Sequence, residues 1–182
     1  MEGGIRAWEG LRAEGIPEAG MIYFDTAKNP EELIALAWTL EEGSRRFYAE
    51  ISAQIEDSDT LTLFKNLTTA EEHHKTALIN LYTSLTGKAP DAGFPLSLVS
   101  AGTTNDYMEG GMQVSEAVAW ARAKNVHEIL ELSIALETNA YDLYLKMRSA
   151  AGNDRSKKVF TTLYEEEKEH LDRLAELLGK KF

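Results

Sequence analysis

Between Asn29 and Tyr82 apolar residues recur every three or four positions, the spacing that lines one face of a helix. Asn29-Pro30-Glu31-Glu32 gives this run a start: a capping side chain, a proline in the first turn, and acids near the positive end of the helix dipole. The cluster Glu56-Asp57-Ser58-Asp59 interrupts the pattern, and Asp57 or Ser58 is expected to cap a second helix that ends near Leu85, before Gly87 and Pro90. The two helices make an antiparallel hairpin. From Gly87 to Gly111 glycine and proline recur, which predicts a long irregular connection. Val114 to Ala123 reads as a short helix, Asn125 caps a third long helix to about Ala150, and Gly152-Asn153-Asp154 turns the chain into a fourth that ends near Leu178-Gly179.

The second hairpin repeats the first. Glu137 lies 96 positions after Glu41, and the same offset pairs Tyr48 with Tyr144, Phe64 with Phe160, Glu71 with Glu167, His74 with His170 and Leu78 with Leu174. It holds without a gap across the turn inside each hairpin. Matched leucines in leucine-rich helices carry little weight, but a matched histidine and three matched acids in one register, the third being Glu32 with Glu128, carry much more. The predicted fold is all-α: a four-helix bundle of two repeated antiparallel hairpins joined by a long crossover.

Glu71 and His74 stand one turn apart on one helix face, as do Glu167 and His170. That face is the apolar one, running through Phe64, Leu67, Leu78 and Leu81 in the first copy and Phe160, Leu163, Leu174 and Leu177 in the second, so both pairs point into the core. On the first helix the repeat selects Glu41 over Glu42 as the inward acid, because position 137 is Glu and position 138 is Thr; Glu42 is expected to face solvent. Glu41, Glu71, His74, Glu137, Glu167 and His170 are therefore the candidate metal ligands. Four carboxylates and two neutral imidazoles buried without counter-charge would cost several kcal/mol per ion, and two divalent cations cancel their charge of -4. Oxygen and nitrogen donors without thiolate favour two iron ions, or manganese, over a structural zinc, although zinc also fits such ligands.

Tyr48 and Tyr144 follow the inward glutamates by two turns along the same face, where each is either a hydrogen-bond partner of a ligand carboxylate or an ordinary core tyrosine. His73 is set about 100° around the helix from His74 and reads as a surface residue. His127 has no partner at ligand spacing, and Trp38 and Trp120 read as core or interface residues.

The 182 residues suit one domain with a real core. The absence of cysteine excludes disulfides, thiolate metal sites and a four-cysteine iron centre within this chain. A net charge of -11 opposes binding to nucleic acid through phosphates. No apolar run reaches the roughly 20 residues that span a bilayer, and the first twenty residues lack the form of a signal peptide, so a cytoplasmic protein without a membrane partner is expected.

With Glu41 and Phe47-Tyr48, Glu71-x-x-His74, Glu137 and Tyr144, and Glu167-x-x-His170 in place, the chain from Asn29 to Leu178 resembles the rubrerythrin and ferritin-like di-iron family. The resemblance implies a ferritin-like bundle holding a carboxylate-bridged di-iron centre that reacts with peroxide or dioxygen. It makes Glu41 and Glu137 terminal ligands, Glu71 and Glu167 bridges, and gives His74 and His170 one iron each. It also suggests a homodimer. Two departures stand out. Full-length rubrerythrin carries a four-cysteine iron site that delivers electrons, so this chain needs an external electron donor. Rubrerythrins also place an extra Glu one turn from the third-helix ligand, where this chain has Ile134 and Ala140. The implied activity is an oxidoreductase of the peroxidase or oxidase type; the alternative is a non-enzymatic iron storage or sensor protein. Finally, Gly3-Gly4-Ile5 and Trp8 resemble the last helix of a rhodanese domain, which divides the chain into a segment at 1–20, either a rhodanese remnant or an unrelated N-terminal helix, and a bundle at 21–182.

Overall fold

Each predicted helix start is satisfied by a side chain that takes up a free backbone amide. The computed structural model describes residues 29–99 and 106–181; the rhodanese-like segment and its boundary with the bundle lie outside them. Helix α1 (Pro30–Ser52) begins where Asn29 accepts the Glu32 N–H at 2.9 Å. Helix α2 (Ser58–Thr86) is capped by Asp57, not Ser58: the carboxylate accepts the Thr60 N–H at 2.9 Å and the Thr60 hydroxyl at 2.6 Å. Gly87, at φ 71°, closes its other end by donating to the Thr83 carbonyl, a left-handed geometry that glycine adopts without cost.

Beyond the crossover come α3 (Val114–Ala121), two residues shorter than expected, and α4 (Val126–Ala150), which opens on a capping box between Asn125 and Glu128. Helix α5 (Asp154–Lys181) runs past the expected stop at Gly179. Its last turn is held there by Lys181, whose ammonium donates to Asp57 at 2.6 Å and so ties the end of α5 to the start of α2.

The hairpins α1/α2 and α4/α5 pack together as a four-helix bundle, the ferritin-like arrangement. Two apolar clusters fill it. One gathers Phe47, Tyr48, Ile51, Phe64, Leu67, Leu130 and Leu136 with the buried face of α3. The other gathers Ile34, Leu40, Leu78, Leu81, Leu143, Tyr144, Met147 and Phe160. Between them lies a buried polar layer: Glu41, Glu71, His74, Glu137, Glu167 and His170 are each 5% exposed or less. Trp38 sits on the flank of the second cluster, edge-on to Phe94 and beneath the Lys75 ammonium. No helix among the described residues is long and apolar enough to cross a membrane.

The crossover is less irregular than its glycines and prolines suggest. Tyr107 and Gln113 form an antiparallel bridge around a single 3-10 turn, Glu109–Gly111, with Met108 N–H to Met112 O and Gly111 N–H to Met108 O each 3.0 Å. Gly110 (φ 75°) and Gly111 (φ 71°) permit this reversal. The turn lodges against α1 at Gly43, where a Cβ would sit 2.1 Å from the Tyr107 carbonyl oxygen.

Candidate metal centre

Helical periodicity places the six candidate residues on facing stripes of four helices: Glu41 from α1, Glu71 and His74 from α2, Glu137 from α4, Glu167 and His170 from α5. All six meet. His74 Nδ1 lies 3.2 Å from Glu41 Oε2, 3.1 Å from Glu71 Oε2 and 3.0 Å from Glu167 Oε1. His170 Nδ1 lies 3.0 Å from Glu137 Oε2 and 3.2 Å from Glu167 Oε2. The two imidazoles stack at 5.6 Å between centroids.

Two groups emerge whose donor atoms lie within 4.8 Å of one another: Glu41, Glu71, His74 and Glu167, and then Glu71, Glu137 and His170. Glu71 is common to both. The chemistry of the donors tests whether metal fits. Glu71 Oε2 and Glu167 Oε1 are buried and form no well-aligned hydrogen bond, because the single His74 Nδ1 is shared among three carboxylate oxygens, and a buried polar oxygen left so costs roughly 1–3 kcal/mol. Both orphaned oxygens belong to the central pair, where cations would satisfy them. The oxygen and nitrogen donor set fits two divalent ions of the iron and manganese type.

Without metal the same groups hold protons instead. Burial, followed by the neighbouring Glu41 charge, lifts Glu71 well above the carboxylate range. Burial and the Glu167 charge raise Glu137 to about 7. On Glu167 burial is outweighed by His74 and His170, which hold it below the usual range. The imidazoles go the other way: burial would lower them, but the charges of Glu41 and Glu167 raise His74, and contacts with Glu137 and Glu167 carry His170 to about 10. The metal-free layer is thus two imidazolium ions among partly protonated acids.

Tyr48 and Tyr144 are fully buried and both touch the layer. The Tyr48 hydroxyl donates to Glu137 Oε1 and the Tyr144 hydroxyl to Glu41 Oε1, each tyrosine reaching across to the glutamate of the other hairpin. Glu42 corrects another expectation: it is half-buried, bonded to Arg45 at 2.7 Å and to Lys75 at 2.6 Å on the outer side of α1. His73 is exposed, and His127 lies at the surface near Glu131.

Two further residues carry weight that the sequence reading missed. Glu166 accepts a contact at 2.8 Å from His74 Nε2, the ring nitrogen turned away from the centre, and that contact holds its carboxyl below the usual range. A carboxylate behind a ligating histidine fixes the ring and its tautomer. The repeat hides it, since position 70 is Ala. Glu109, on the crossover turn, is 4% exposed and lies within the field of Glu41, Glu167 and Glu137; burial and those charges push it well up. Its only sequence signal is an acid before two glycines.

Fold and site together define a ferritin-like helical bundle with a carboxylate and histidine centre at its middle. More particularly, residues 103–182, which hold Glu137, Glu167 and His170, match the rubrerythrin family model. No curated protein matches the chain. Among solved structures, a hypothetical protein from Pyrococcus furiosus shares the fold at a TM-score of 0.66 and 22% identity, with 91% of this chain and 98% of that chain covered. The family match to the second hairpin points to a di-iron protein, and the internal repeat carries the same ligand pattern into the first.

Proposed function

We propose that this chain is a di-iron oxidoreductase that reduces peroxide or dioxygen with electrons from an external donor. The observation that carries the reading is the pair of orphaned carboxylate oxygens, on Glu71 and Glu167, at the middle of a duplicated Glu-x-x-His site. Glu41 and His74 would hold one ion and Glu137 and His170 the other, with Glu71 and Glu167 placed between. Iron bound there supplies one electron per ion, which matches the two electrons that convert one peroxide, with two protons, into two waters.

The rest is done by the protein. Burial in the apolar bundle excludes bulk water, and the acids neutralise the ions. Two clefts, about 280 and 450 Å³, open at opposite ends of the bundle, and none of the six residues lines either one. A substrate as small as peroxide or dioxygen suits a centre so enclosed. Tyr48 and Tyr144, held neutral by burial and by the glutamates they bond, position Glu137 and Glu41 and are donors rather than bases. Because this chain holds no cysteine, the electrons are inferred to come from a site outside it, and a homodimer is the assembly we infer from the family likeness.

Turnover decides the matter. Anaerobic loading with Fe(II), then peroxide in the presence of a reductant, is expected to consume many equivalents per chain. A single stoichiometric oxidation would replace this reading with iron storage or sensing.

A further inference from the structure

We propose that Glu109 is a fifth metal-binding carboxylate, delivered to the centre by the crossover from outside the two-fold set of six. The inference rests on the dinuclear reading above. Its first support is placement. The turn is wedged between the stretch of α1 just after Glu41 and the stretch of α4 around Glu137: a Cβ on Gly43 would fall 2.1 Å from Tyr107 O and 2.7 Å from Met108 Cα, and one on Gly110 would fall 3.1 Å from Asn139 Nδ2 and 3.9 Å from Leu136 Cδ2. The residue between those contacts is Glu109.

The second support is construction. Met108, fully buried, anchors the turn in the apolar core, the Tyr107 and Gln113 bridge closes it, and two left-handed glycines set its direction. Nothing in that frame needs an acid, because Met108 supplies the packing and Gly110 and Gly111 the reversal. A glutamine would fit the same volume without burying a charge.

The third support is the missing partner. Among the described residues no Lys, Arg or His forms an ion pair with Glu109, although the side chain is more than nine-tenths buried. Its neighbours in charge are Glu41, Glu167 and Glu137. A carboxylate buried among carboxylates must hold a proton or be joined by a cation. The two ions of the centre are the cations its position allows. Glu109 also stands outside the repeat, since the residue 96 positions earlier is Ala13, so with Glu166 it distinguishes the two duplicated sites.

The test is a titration of the full chain with Co(II) alone, following binding by competition with a chromophoric chelator and coordination by visible absorption. Wild type and Glu109→Gln should each take two Co(II), with one step weakened roughly 10- to 100-fold in the variant, the range seen when groups around a metal are altered. Its absorption should strengthen as coordination number falls. Glu109→Asp keeps the charge but draws the carboxylate back by one methylene, and should show the same spectral change. Metal-free Glu109→Gln should melt no lower than wild type, which separates a lost ligand from a damaged fold. Wild-type affinities and spectra in both variants would overturn the proposal while leaving the six-residue centre intact. Failure of wild type itself to bind two Co(II) would instead overturn the dinuclear reading and this proposal with it.

Discussion

Metal loading is expected to stabilise the chain by an amount that grows from about pH 5 to about pH 8, because the metal-free fold loses stability over that range. Glu71, Glu109 and Glu137 are raised by burial first and by neighbouring acids second. A raised carboxyl keeps a proton in the folded chain that the unfolded chain has already released, so its stability is present below the unfolded value and is lost as pH climbs through the folded one. For Glu137 alone, a rise from 4.5 to about 7 amounts to roughly 3 kcal/mol. His170, raised from 6.5 to about 10, adds a loss of the same sign in the upper part of the range. Glu167, shifted downward, acts only in more acid solution. At about 2–4 °C per kcal/mol for a domain of this size, Glu137 by itself lowers the metal-free Tm by roughly 6–12 °C. Divalent ions displace those protons, so the loaded chain should be nearly level across the range, and each site filled at 100-fold excess over its Kd adds about 2.7 kcal/mol. Thermal melting by circular dichroism, with chelator and with excess Co(II) at four pH values, measures both curves. A metal-free Tm that stays constant or rises with pH would refute the reasoning.

Tyr48→Phe leaves Glu137 Oε1 without its donor and should cost about 1–3 kcal/mol in urea unfolding, with metal affinity down by roughly tenfold or more; Tyr144→Phe should do the same through Glu41. Glu166→Ala removes a half-exposed carboxylate from behind His74, so chelator competition should show metal affinity falling about tenfold while the melting temperature without metal barely moves. Equal affinity would mean that packing alone orients the ring. Gly43→Ala drives a methyl into the Tyr107 carbonyl oxygen and should cost about 3 kcal/mol in the same urea assay; a loss under about 1 kcal/mol would show that the crossover yields freely.

The helices and the six inward residues were legible because two signals reinforced each other. Helical periodicity placed Glu71 and His74 on the apolar face, and the repeat at 96 residues chose Glu41 over Glu42. Caps were equally readable, since Asn29, Asp57 and Asn125 act through amides three residues away. What stayed hidden depends on contacts between distant parts of the chain. Lys181 extends α5 past Gly179 only because Asp57 stands beside it in space. Glu42 looks like a surface acid until Lys75 and Arg45 enclose it. Glu109 sits on a glycine-rich segment with no periodicity, and only the close approach at Gly43 shows where it goes.

A duplicated hairpin explains why the centre has two histidines and four acids, yet the departures from duplication are where the two ion positions become unequal. The symmetric elements are reciprocal: Tyr48 bonds Glu137 and Tyr144 bonds Glu41, and each Glu-x-x-His pair faces the other. The unsymmetric ones favour His74. Glu166 stands behind it where the other copy has Ala70, and the donor group around it counts four residues against three around His170. His74 is also the more deeply buried of the two, 1% exposed against 5%. A histidine with a carboxylate behind its far nitrogen is a more basic and more rigid ligand, so an ion at His74 would be the better held. An ion at His170, which lacks such a carboxylate behind it, would be the less firmly held of the two, and a small oxidant needs an open position to bind. Duplication thus accounts for two equivalent ligand sets, and the residues outside the repeat would make the two ion positions unequal.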